Sequence, residues 1–229
     1  VQSEEIATTW SASNVTIGAA TTAPNGASTA KKIEEDNVNS THVIYENYAA
    51  SAIAYTFSAF LKAAERTWGY IRFDTGGVNE GVFLNLATGA LGAVNGAGAT
   101  ATVEAFANGW YRLTYTRTAT AATWNPVVGS TTGDTVFDYT GTTGSGIYAW
   151  GMQLEAASFA SSYIATTTAA VTRNADVLTY PFITGLNTAG TCVAELSANG
   201  TVSAAVIRVG VASSNGSLML GTNSTETTI

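Results

Sequence analysis

Apolar and polar residues alternate with a period of two through most of this chain. In 55-YTFSAFLKA-63, Tyr55, Phe57, Ala59 and Leu61 fall on one side, with Thr56, Ser58 and Lys62 mostly on the other. In 68-WGYIRFD-74, Gly69, Ile71 and Phe73 oppose Trp68, Tyr70, Arg72 and Asp74. In 110-WYRLTYTRT-118, Tyr111, Leu113 and Tyr115 oppose Arg112, Thr114 and Thr116. In 147-IYAWGMQLE-155, Tyr148, Trp150, Met152 and Leu154 oppose Ala149, Gly151 and Gln153, and the aromatic side is expected to fill a core. Such runs predict strands with one buried face. Turn signals separate them at Pro24-Asn25-Gly26, Gly76-Gly77, Asn108-Gly109, Thr132-Gly133-Asp134 and Gly141 to Gly146. The one helical candidate, Ala63 to Arg66, is short enough to be a turn. The pattern predicts an all-β fold, an antiparallel β-sandwich of the jelly-roll kind.

The pattern breaks near residues 165–182. The stretch 161-SSYIATTTAAVTRNADVLTYP-181 is polar and Thr-rich, and alternation resumes after it with an Asn199-Gly200 turn. Two parts are therefore expected, 1–178 and 179–229. The second is too short to close a sandwich alone, so it either adds strands to the first or begins another domain. A start at Val1 and an end at Thr227-Thr228-Ile229 lead us to expect a piece of a longer chain.

Composition narrows the function classes. Only 11% of the 229 residues are charged while 46% are hydrophobic, much of that Ala and Val. The net charge is −7 with a pI near 4.6. The nine basic residues are scattered, apart from Lys31–Lys32. Nucleic-acid binding needs a basic footprint, so neither a nucleic acid nor an anionic membrane surface is an expected partner. No apolar run approaches the roughly 20 residues of a membrane span, and no signal-peptide pattern is present. Cys192, the single cysteine, excludes a disulfide within the chain and is expected to be a small buried hydrophobe.

The catalytic inventory is thin. His42 is the only histidine, and no serine sits in a nucleophile elbow, so Ser-His-Asp chemistry is not expected. Zinc would need several His or Cys ligands. A glycosidase needs two carboxylates across a cleft, and no strand carries an alternating Glu-x-Asp-x-Glu set. Glu34-Glu35-Asp36 is expected to be a solvated turn.

The order of certain segments resembles a known family. They are 3-SEEIATTWSASNVTI-17, 24-PNGASTAKKIEED-36, 55-YTFSAFLKAA-64, 104-EAFANGWYRLTYT-116, 144-GSGIYAWGMQLEAAS-158 and 161-SSYIATTTAAVTRNADVL-178. Together they resemble the carbohydrate-binding-module-like jelly-roll domain of phage virion proteins such as head fibres and tail fibres. Residues 179–229 resemble the start of a concanavalin-like sandwich. The chain departs from the family with Asn25 for Asp, Met152 for Ala, and Ala165 for Pro. The resemblance implies a non-catalytic module at the virion surface, not an enzyme. It would adhere to host or environmental glycans, contact other virion proteins and form a homo-oligomer. Two other readings stay open: an ancillary module of a secreted polysaccharide-degrading enzyme, and a purely architectural virion domain. No cofactor is required. The resemblance also implies a possible structural Ca²⁺ near the chain ends, with Glu4, Glu5 and Glu155 as ligands, against the alternative of exposed carboxylates.

Sugar binding would use flat aromatic faces beside amides and carboxylates. Trp110 and Trp150 read as core, and the resemblance implies that Trp10 packs the N-terminal strand. Trp68 shares a face with Tyr70 and Arg72 that is expected to be polar and wet. Trp124, beside Asn125, is either an exposed platform or a ring covering a sheet edge. Tyr45 and Tyr48 form a third candidate platform, and Gln153 is a candidate for a ligand hydroxyl.

Overall fold

The computed structural model describes residues 3, 6–74, 79–119, 122–167, 169–172, 206–210 and 217–221. Twelve strands build its body. The chain enters through β1 (Ser11–Ser13), β2 (Val15–Thr21) and β3 (Ala30–Glu35). It continues through β4 (His42–Tyr45), β5 (Ala54–Ala63) and β6 (Trp68–Asp74). Then come β7 (Asn79–Asn85), β8 (Ala90–Val94) and β9 (Thr100–Phe106). The body closes with β10 (Trp110–Thr118), β11 (Asn125–Thr131) and β12 (Gly146–Glu155).

These strands form two six-stranded antiparallel sheets, in the orders β1-β4-β11-β6-β7-β8 and β9-β10-β5-β12-β3-β2. The central strands β4-β11-β6-β7 face β10-β5-β12-β3, which is the jelly-roll arrangement. The expected all-β sandwich is what the chain forms. Asn14, with φ of 56°, turns the chain from one sheet into the other between β1 and β2. Asparagine tolerates that left-handed conformation, and its side-chain amide donates to Thr41 O at 2.9 Å. At Asn108-Gly109 both residues have positive φ, and the turn returns β9 into β10 in register, Phe106 opposite Trp110.

The core lies between the sheets and follows the alternation. Ile71 and Phe73 of β6 and Val82 and Leu84 of β7 meet Phe57, Ala59 and Leu61 of β5 and Leu113 and Tyr115 of β10. Aromatic rings run through it, Trp10 to Phe57 at 6.3 Å, Phe57 to Phe73 at 6.0 Å and Phe73 to Tyr115 at 5.8 Å. Each such pair adds about 0.5–1.5 kcal/mol beyond area burial.

Charged pairs also join the two sheets. Glu80 of β7 pairs with Arg117 of β10. Elsewhere Arg66 grips Glu35 through two bonds of 2.7 Å, with Thr142 N–H and Tyr139 Oη also donating to that carboxylate. Glu35 is only 2% exposed, so Glu34-Glu35-Asp36 is not a solvated turn. It ends β3 in a buried ion pair.

β12 departs from simple alternation. Ile147 and Ala149 point into the core, yet so does Met152, because the register against β5 shifts between Trp150 and Gln153. The extra residue is a β-bulge, and Gly151 sits within it at φ of 61°. Tyr148 and Trp150, ahead of the bulge and alternating with Ile147 and Ala149, face outward, correcting their expected place between the sheets. Trp150 is still buried, in a second cluster with Ala23, Ala30, Phe60, Trp110 and Tyr163 on the outside of the second sheet. Trp110 belongs to that same outer cluster.

The segment after β12 covers this face. Ile164 N–H donates to Gln153 Oε1 at 2.8 Å, and Ser161 N–H to the Glu155 carboxylate at 3.0 Å. Ser3 N–H reaches Thr166 O at 3.0 Å, and Tyr163 Oη donates to Ser3 Oγ at 2.9 Å. The polar tail thus lies along the sheet as an irregular strap, not a strand.

The chain divides into two compact units, Val1–Arg173 and Asn174–Ile229, where a boundary at 178 was expected. In the second unit, Val206–Gly210 pairs antiparallel with Ser217–Gly221. Cys192 and the Gly76-Gly77 and Asn199-Gly200 turns lie outside the described residues.

Candidate functional site

The outer face of the first sheet carries a polar cleft, and strand register assembles it. Tyr45 of β4 stands opposite Val127 of β11, which stands opposite Arg72 of β6. One step along, Asn125 pairs with Asp74. With Thr41 and Asn47, these residues line a cleft of about 360 Å³. The backbone beneath is the centre of a sheet, so the side chains are held on rigid supports.

Arg72 is 8% exposed and its guanidinium lies 5.1 Å from the Phe137 ring and 5.9 Å from the Tyr70 ring. Asp74 Oδ2 is 3.7 Å from Arg72 Nη2. Asn125 Oδ1 accepts Tyr48 N–H at 3.4 Å, which ties the cleft to the loop after β4. The result is a guanidinium, a carboxylate, amides and a phenol within one shallow depression. Such a set can donate to and accept from vicinal hydroxyls. It contains one carboxylate, and the fully buried His42 lies elsewhere, its ring tilted against Tyr139 at 4.6 Å.

Tyr70 does not present a wet surface. It is fully buried in a plug with Val43, Phe83 and Val127, with Phe137 packed against them. Phe137 comes from the loop after β11 and meets the Tyr70 ring edge-on at 5.1 Å. Gly129 makes the plug possible, since a Cβ there would overlap the Tyr70 ring. Burial holds the Tyr70 phenol far above its ordinary value, so it stays protonated. The expected polar face of β6 is therefore half plug and half cleft.

The eight expected ligand residues separate accordingly. Tyr45, Arg72 and Asn125 meet in the cleft. Trp68 is half-buried and packs against the plug, close to Gly92 of β8. Trp124 is 2% exposed, 5.2 Å from Phe73 and beneath Arg117 at 5.4 Å, so it offers no open face. Of its two alternatives, the exposed platform fails because the ring seals the core. Tyr48 turns inward, edge-on to Tyr55 at 5.6 Å. Gln153 lies on the opposite sheet with its amide engaged by the strap.

Asn47 and Asp74 were not among those candidates. Asp74 stands two residues from Arg72, so strand periodicity placed it on the same face, whereas Asn47 lies in the loop after β4 and no strand pattern marked it.

Of the expected calcium ligands, Glu4 and Glu5 lie outside the described residues. Glu155 directs both oxygens at Ser161 N–H. Among the described residues no group of three or more His, Cys, Asp or Glu is placed to hold a metal ion.

No protein-family model matches the chain. No curated protein matches it either.

Proposed function

We propose that the sandwich is a non-catalytic binding module that holds a glycan in the cleft on its first sheet. The observation that carries this reading is the convergence of Tyr45, Arg72, Asp74 and Asn125 on adjacent strands, with Asn47 at the edge. Amides and an Arg–Asp pair match the paired hydroxyls of a sugar, and a half-buried tyrosine supplies apolar surface for a ring. The absence of a second carboxylate in the cleft favours binding over glycoside cleavage.

The setting we propose is a fibre or spike domain at the virion surface, in a homo-oligomer with other virion proteins. That setting is supported by the ordered motifs of residues 3–178 and by the acidic, weakly charged composition. A glycan-array screen of the 229-residue chain tests the reading, with an Asn47→Ala, Asn125→Ala double variant alongside. Asn47 is exposed in the loop after β4 and Asn125 lies half-buried at the sheet surface, so the variant is expected to fold and to lose binding. A well-folded wild-type chain that binds nothing on the array would sink it.

A further inference from the structure

The opposite sheet carries a second cleft that the proposed site does not use. It measures about 330 Å³ and lies on the outer face of β9 and β10. Register sets Thr100 against Thr116, Thr102 against Thr114 and Glu104 against Arg112. The result is two ranks of hydroxyls ending in a carboxylate and a guanidinium. Successive residues on one face of a strand are roughly 6.8 Å apart and neighbouring strands about 4.8 Å, a spacing on the scale of the hydroxyls of a sugar ring.

One wall is Phe159, from the loop that leaves β12. It is 63% exposed, the largest exposure among the exposed large hydrophobic residues described. The loop holding it is fixed on both sides. Thr56 Oγ1, itself bonded to Thr116 Oγ1 at 2.8 Å, donates to Ala157 O at 2.9 Å, and Ser161 N–H is held by Glu155. An apolar ring is thus kept in water by an anchored backbone, beside a polar floor. Arg112 donates to Ser58 Oγ at 3.0 Å through one nitrogen, while its buried Nε has no hydrogen-bond partner. A buried donor without a partner is uncommon.

We infer that this cleft is a second glycan subsite, taking a neutral pyranose whose apolar face rests on Phe159. Its hydroxyls meet Thr100, Thr102, Thr114, Glu104 and Arg112. Neutral sugar fits better than acidic sugar, because the chain carries a net charge of −7 and Glu104 lines the cleft. The inference extends the proposed glycan-binding function to a module with sites on both outer faces, able to engage two chains or two points on one.

The test is calorimetric titration of the full chain with neutral cello-, xylo-, manno- and galacto-oligosaccharides. It compares wild type with Phe159→Ala and with the Asn47→Ala, Asn125→Ala variant. Phe159 is exposed, so its truncation is expected to leave the fold intact, which circular dichroism checks. We expect two sites per chain in wild type, with Phe159→Ala removing one or weakening it by about tenfold or more. Thr102→Val, which keeps shape and loses a hydroxyl, should weaken the same site. Binding unchanged in Phe159→Ala but lost in the double variant would overturn the second subsite and leave the first. Binding lost only in Phe159→Ala would uphold the second subsite and reject the first. No binding to any oligosaccharide would overturn both.

Discussion

The two outer faces of the sandwich are treated oppositely by the chain. The outside of the second sheet is largely covered: Trp150, Trp110 and Phe60 form an apolar layer with Tyr163 of the strap laid over it. The outside of the first sheet is covered only halfway, by the Tyr70–Phe137 plug, and beside the plug Arg72, Asp74 and Asn125 remain in an open cleft. The difference begins in strand phase. Trp150 lies on the outward side of β12, paired in register with Phe60, and a large outward ring needs a cover. The β11–β6 pairing runs in register, and its alternation leaves Arg72, Asp74 and Asn125 facing out. A large aromatic residue outside a sheet therefore does not make a binding platform. Whether a neighbouring segment can reach it decides.

Removing Trp150 tests the covered face most severely. Trp150→Ala deletes a buried ring and its bond to Thr29 Oγ1 at 2.9 Å, and should cost about 3–5 kcal/mol in urea unfolding. A cost below about 1 kcal/mol would mean that the layer is not structural. Breaking the Glu35–Arg66 pair should cost about 3 kcal/mol without touching the first cleft.

That pair also sets a pH dependence. Burial pushes the Glu35 carboxyl up, but the Arg66 hydrogen bonds, Thr142 N–H and the Arg66 charge together bring it below its ordinary value of about 4.5. A lowered carboxylate contributes stability that is complete above the unfolded value and is lost as pH falls through the folded one. Stability should therefore decline below about pH 4.5, and Glu35→Gln should flatten that decline. An unchanged acid profile in the variant would remove Glu35 from the explanation.

Gly151→Ala should cost about 1–2 kcal/mol for the left-handed backbone alone, plus contact with Phe60 and Tyr163. Limited proteolysis should then cut faster within residues 156–167, with no change in the loop after β11. Equal cutting in both places would erase the distinction between a strapped face and an open one. The smallest stability effect belongs to Asn47→Ala with Asn125→Ala, under about 0.5 kcal/mol by thermal unfolding, together with loss of glycan binding.

Much of the fold was legible. The inward faces of β6 and β10 follow the alternation residue by residue, because each pairs without a bulge with both neighbours in its sheet, and β5 keeps its phase because the extra residue opposite it belongs to β12. β12 was legible as a strand but not in phase. A bulge depends on the partner strand, and alternation placed Gly151 simply on the face opposite Trp150, not as an added residue. The site was legible in part. Tyr45, Arg72 and Asn125 come from three separated segments, yet each was recognisable as a polar or aromatic residue on a strand face. Tyr70 and Trp124 misled because their covers, Phe137 and Arg117, approach only once the sheets are folded. Phe159 stands in a Ser- and Ala-rich stretch without alternation, and only the anchored loop reveals its exposure.

The most direct measurement is amide chemical-shift mapping of the ¹⁵N-labelled chain titrated with an oligosaccharide that scores on the array. We expect the largest shifts at Tyr45, Asn47, Arg72, Asp74 and Asn125, clustered on β4, β6 and β11. Shifts confined to other surfaces, with these five residues unmoved at saturation, would contradict the first-sheet cleft as the binding site.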